Sequence, residues 1–202
     1  MRQRGFSLIE LMVTVVILVL LIVAAVPSIG TWLDNTRIRN QADSLMGGLQ
    51  AARAEAVRTN QNVSFWLVGS TSAPGALDDT CALSDTSASW VVSVASPASH
   101  CATWQTTSPA LIFSSRAMGG DNTKVSVAAV TFGTTPTAAN TVTFNGFGRV
   151  ANSTPIGRID LGGKGGGTYR SLRVVVSASG SVSLCDPAVS SSTDPRKCPA
   201  TS

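Results

Sequence analysis

His100 is the only histidine among the 202 residues, so any Ser/His/Asp or Cys/His arrangement for nucleophilic catalysis would have to be built on this one side chain. Its neighbour Cys101 is one of four cysteines, with Cys81, Cys185 and Cys198, and none of them sits in a Cys-x-x-Cys pair of the kind that grips zinc. Asp78, Asp79 and Asp85 make an acidic loop whose spacing matches no EF-hand. The run from Gly162 to Gly167, broken only by Lys164, looks at first like a phosphate cradle. It lacks the Walker spacing, no Ser or Thr follows the lysine, and no helix follows the run, so a hairpin tip accounts for it. No catalytic residue, metal site or cofactor is expected, and the chain does not read as an enzyme.

The residue that does demand a chemical explanation is Glu10. It stands near the start of an apolar run from Phe6 to Val26, which as a helix rising about 1.5 Å per residue spans about 31 Å, close to a bilayer's hydrocarbon thickness. A lone carboxylate deep in that environment costs about 2 kcal/mol or more. Either Glu10 sits at the interface and stays wet, or a cation meets it. Arg2 and Arg4 precede the run and predict a single pass, with the N-terminus cytoplasmic and the bulk of the chain exported. A secretory signal would carry a small-residue cleavage site after its apolar core; Ala24-Ala25-Val26 imitates one poorly, because Pro27 follows at once.

The elements that position these groups change character along the chain. Beyond Pro27, which is expected to kink the helix, Ile38, Ala42, Leu45, Leu49, Ala52 and Ala56 step by four, three, four, three and four. That is one apolar stripe of an amphipathic helix, over residues 27–60, ending in a turn at Asn60-Gln61-Asn62. From residue 61 to 202 the pattern is that of strands, expected at 63–68, 89–95, 110–114, 125–132, 141–144, 158–161, 171–177 and 181–184, with Gly, Pro, Ser and Asn clusters between them. At 20.8 kDa there is room for one membrane-length segment and one globular head. The fold class is α+β, a long N-terminal helix packed on antiparallel sheet.

Arg4-Gly5-Phe6-Ser7-Leu8-Ile9-Glu10 resembles the prepilin signal of type IV pilins and type II secretion pseudopilins. The resemblance implies a leader of residues 1–5, cut by a prepilin peptidase between Gly5 and Phe6, with methylation of the new N-terminal Phe6. Residues 6–26 then form the transmembrane and filament-core helix. The amine freed at Phe6 is the cation that Glu10 would meet in a neighbouring subunit, and that pairing would set the assembly register. The stretch from Ala51 to Val63 and the turn Phe144-Asn145-Gly146-Phe147-Gly148-Arg149 are similar to the GspH/FimT group of minor pilins and pseudopilins. A member of that group is expected to be a minor type IV pilin that helps prime pilus assembly at or near the tip, serving twitching motility and adhesion. Its partners would be other pilins, the peptidase and the inner membrane, with a periplasmic head that later becomes part of an extracellular pilus. A GspH-like pseudopilin of type II secretion is the alternative within the group.

Two features of the head remain. The exported location of all four cysteines favours disulfides. Of the three pairings, the local one, Cys81 with Cys101 and Cys185 with Cys198, closes two modest loops, each worth about 3 kcal/mol on a loop-entropy basis. The formal charge of +4 falls to +4 − 2 = +2 without Arg2 and Arg4, so no whole-chain case for nucleic acid stands. A local one does: between Thr141 and Cys185 lie Arg149, Arg158, Lys164, Arg170 and Arg173 against a single acid, Asp160. They would form a weak, nonspecific phosphate surface, the basis of a third reading as a DNA-binding minor pilin for transformation. DNA-binding members of the group carry Gly-Arg-x-Arg before the C-terminal strand. Here that place reads Gly180-Ser181-Val182-Ser183, without either arginine.

Overall fold

The structure is a computed structural model that describes residues 7–69, 77–106, 111–116, 124–164 and 169–199, with the backbone alone over 24–29 and at 116. A single helix, α1, runs unbroken from Leu8–Thr59 and passes through Pro27. It ends where Asn60 turns left-handed (φ 52°) and donates its N–H to the Ala56 carbonyl, a C-cap that asparagine tolerates.

The helix packs on two antiparallel sheets. In the first, β1 (Val63–Gly69) is central, with β6 (Thr141–Phe144) on one side and β3 (Trp90–Ser93) then β4 (Ile112–Arg116) on the other; the two-residue β2 (Ala82–Leu83) pairs with the end of β1. The second has the order β5 (Val125–Thr131), β7 (Ile156–Gly163), β8 (Leu172–Val176), β9 (Val182–Cys185). A short helix, α2 (Thr103–Thr106), lies between β3 and β4. Every strand expected from the sequence is present, β6 with the expected ends and the others with shifted ones, β7 being longer and β4 starting later than expected; β2 and α2 are additions. Both are too short to leave a periodic signal.

The stripe does what its spacing requires. Ile38, Ala42, Leu45, Leu49, Ala52 and Ala56 are all buried, against Val63, Phe65 and Leu67 of the first sheet and Ile159, Leu161, Val174 and Val176 of the second. Gly48 extends the buried face: a Cβ there would come within 2.7 Å of the Trp90 ring and 2.8 Å of Phe65. The indole therefore comes close to the helix backbone at Gly48 and donates Nε1–H to Ser44 Oγ at 3.1 Å. Alternate residues of β1 point the other way. Trp66 and Val68 join Cys81, Val91, Cys101, Ile112, Leu77, Leu83 and Trp104 in a second, smaller cluster on the outer face of the first sheet.

Candidate functional site: a bare helix and a partly paired cationic face

The two halves of α1 have opposite surroundings. While the apolar stripe from Ile38 to Ala56 is buried in the head, every large apolar side chain from Leu8 to Val23 is exposed, from 48% at Val15 to 75% at Leu8. Apolar surface on that scale, at about 25 cal/mol per Å², is not left in water. Glu10 lies in the first turn, where the helix dipole favours a carboxylate, and no cation among the described residues bonds to it. Gly5 and Phe6 lie outside the described residues. Among the described residues no helical stretch is long and apolar enough to cross a membrane; both ends of the expected crossing, Phe6 and Val26, fall on residues whose side chains are not described. Pro27 is inside the helix, and its side chain belongs to the same undescribed stretch.

The head's cations are placed less simply than their sequence spacing suggests. Arg158 and Arg173 both converge on Asp160: Arg173 Nε is 2.5 Å from Oδ1 and Arg158 Nε 3.3 Å from Oδ2. Strand geometry requires it, because Arg158 and Asp160 are two apart on β7 and share a face, while Arg173 is the direct cross-strand partner of Asp160. Arg170 donates Nε–H to Asp186 Oδ2 at 2.9 Å, and its backbone N–H reaches Asn35 Oδ1 at 2.9 Å. Asp186 is itself buried and also accepts the Ala188 N–H, so Arg170 ties the C-terminal loop through its side chain and α1 through its backbone N–H to the approach to β8. A charge count that stops at Cys185 misses this acid by one residue. Lys164 follows β7, and Arg149 is exposed on a separate turn beside the helix end. The five cations do not form one open basic surface.

Cys81 is bonded to Cys101, with Cα atoms 6.2 Å apart, and Cys185 to Cys198, at 4.9 Å. The first bridge sits inside the outer cluster. Its loop is further held by Asp79, which accepts the N–H groups of Ala102 and Thr103, each at 3.0 Å, and the Thr103 hydroxyl. These bonds, the Thr103 hydroxyl foremost, hold the Asp79 carboxyl below its ordinary pKa. The acidic loop thus caps α2, a use the sequence alone does not reveal. His100 stacks on Trp104 at 4.8 Å, almost parallel. Among the described residues no group of His, Cys, Asp and Glu could hold a metal ion.

Because the outer cluster lies apart from the main core, the paired substitution Cys81→Ser/Cys101→Ser is expected to destabilise the head by about 2 to 3 kcal/mol without unfolding the α1–sheet core. Hydrogen exchange checks it: protection should fall in Leu77–Thr106 and hold in Ile38–Ala56. Equal loss in both segments would show the bridge to support the whole head.

The described residues form a head that buries one face of half a helix and leaves the other half bare. The profile described as "Type II transport protein GspH" matches residues 41–180, most of the chain and almost all of the packed head. The chain belongs to the GspH family. The prokaryotic N-terminal methylation motif matches residues 1–26, the segment that holds Gly5, Phe6 and Glu10, and this motif marks a processed, membrane-anchored pilin-like chain. No curated protein matches the chain significantly. Among solved structures it is similar to the type IV minor pilin FimU of Pseudomonas aeruginosa in two crystal forms. One shows 15% identity over 76% of this chain and 91% of that one, with a TM-score of 0.46; the other shows 16% over 72% and 90%, with a TM-score of 0.43. GspH-family proteins are structural pilin-like subunits, and this one has the family's long helix and antiparallel sheets.

Proposed function

We propose that this GspH-family chain is a minor type IV pilin. It is cut after Gly5, methylated at Phe6, held in the inner membrane by its N-terminal helix with the head in the periplasm, and then drawn into a filament, where it primes assembly at or near the tip. The observation that carries this is the division of α1: one half has its apolar stripe packed by the chain's own sheets, and the other, bare from Leu8 to Val23, needs first lipid and then other helices. The C-terminal loop closed by Cys185–Cys198 and tied to α1 through Arg170 and Asn35 supports the pilus branch. The description attached to the family supports the other branch, a minor pseudopilin of type II secretion. DNA uptake is the weakest reading, since Asp160, shared by Arg158 and Arg173, and Asp186, on Arg170, offset two of these three charges, and phosphate binding depends on several free cations acting together.

Deleting the gene and scoring pili, twitching, secretion and transformation in one strain separates the three. Lost pili and twitching with intact secretion are expected. Lost secretion with normal pili would move the chain to the pseudopilin branch.

A further inference from the structure

The connection from Asn145 to Arg149 is fixed far more firmly than a surface turn requires. Asn145 Oδ1 accepts the N–H groups of Phe147 at 3.0 Å and Arg149 at 3.1 Å. The Asn145 N–H bonds to the Arg149 carbonyl at 2.9 Å, and the Gly148 N–H to the Asn145 carbonyl at 2.7 Å. Arg53 Nε, from the last turns of α1, donates to the Gly148 carbonyl at 3.0 Å. Gly146 is pressed so close to Asn60 that a Cβ would come within 2.3 Å of Oδ1. All of these contacts hold backbone. The side chain they present, Phe147, is 84% exposed, the most exposed large apolar residue described, and gives the fold almost nothing. Beside it are Arg149, exposed and joined to no carboxylate among the described residues, and Val57, half-exposed and against Gly148.

A pre-ordered aromatic next to a free guanidinium is the composition of a binding hot spot, in which little entropy remains to be lost on docking. Its place narrows the partner. The turn lies against Arg53, Val57 and Asn60 at the Thr59 end of α1, opposite the bare half, so packing of the bare helices against one another leaves it uncovered and open to the head of another subunit. We infer that the Asn145–Arg149 turn docks onto the head of another pilin subunit, at a surface that sets a carboxylate beside an apolar patch. This rests on the pilin reading above. Nucleic acid fits less well, because a single free arginine gives a phosphate backbone too few contacts.

The test places a photocrosslinker in the full chain, Phe147→p-benzoylphenylalanine, expressed in its own host, with crosslinked products identified by mass spectrometry and sheared filaments probed for the subunit. Expected is a crosslink to the head of another pilin in a chain that enters filaments. A crosslink to a pilin from a chain absent from filaments would keep the docking turn and sink the pilus reading. Entry into filaments with no pilin crosslink, or with a crosslink to DNA, would overturn the docking turn and leave the pilus reading standing; neither crosslink nor entry would overturn both. In parallel, Phe147→Ala should leave thermal unfolding unchanged and cut incorporation by about tenfold, as loss of a hot-spot side chain does. Arg149→Glu should do the same and Arg149→Lys should largely restore it, whereas a merely structural Arg149 would shift the unfolding temperature instead.

Discussion

Gly180→Ala should destabilise the head by about 3 kcal/mol or more, among the larger effects a single methyl can have. Gly180 has a φ of +83°, and a Cβ built on it would lie 1.9 Å from the Gly148 carbonyl oxygen and 3.0 Å from its carbon. The conformation alone costs an alanine about 1 kcal/mol; the contact adds the rest, because the obstacle is backbone that has nowhere to go. Gly148 is itself left-handed (φ +72°) and held by Arg53 and by the bonds within its turn. Relief therefore requires pulling the β8–β9 turn off the helix end. Gly133→Ala is the control: its φ is +108°, yet nothing lies within 4 Å of the added carbon, so only the conformational cost of about 1 kcal/mol applies. Chemical denaturation of the three proteins measures both, and equal losses at the two positions would show that the Gly148–Gly180 approach is not what makes Gly180 necessary.

How much of this could be read beforehand follows from the range of the forces involved. The helix stripe from Ile38 to Ala56 and the strand runs are local periodicities, imposed by a core on one side, and they survive in a single sequence. The turn that begins at Asn60 was visible for the same reason, as a polar run after the last apolar step, though its left-handed conformation was not. Gly48 was not, since its need arises from Trp90 and Phe65, which reach it from distant strands. The cationic stretch shows the limit most clearly. That Arg158 and Asp160 share a face is legible from their spacing of two. That Arg173 lies opposite Asp160 requires the β7–β8 register, and that Arg170 finds Asp186 requires the path of the C-terminal loop. Composition suggested a phosphate surface; register and loop path pair three of its five arginines and lysines with carboxylates of the same head. The N-terminal signal is the reverse case, carried wholly by Gly5, Phe6 and Glu10 and by little that folding adds.

For Glu10 the sign of the effect decides between its two readings. In the helix alone the carboxylate is exposed in the first turn, so Glu10→Ala should change the isolated chain by no more than the dipole contribution of about 0.3 to 1 kcal/mol. Inside an assembly of apolar helices the outcomes diverge. Were Glu10 unpaired there, its desolvation would cost about 2 kcal/mol or more, and removing it would relieve that cost; the alanine variant would then assemble as well as the parent or better. If Glu10 meets the amine freed at Phe6 of a neighbour, the substitution strands that amine in a dry environment. Breaking a buried pair in this way costs about 3 to 5 kcal/mol, which is more than a hundredfold in occupancy at about 1.4 kcal/mol per tenfold. The expected result is normal cleavage after Gly5, seen as an unchanged mobility shift, with incorporation into sheared filaments reduced at least a hundredfold. Glu10→Gln should fail as badly, because it keeps the shape and loses the charge, while Glu10→Asp should recover part of the yield. Filaments that accept the alanine and glutamine variants as readily as the parent would remove charge pairing as the source of register, and leave the apolar packing of Leu8 to Val23 to supply it.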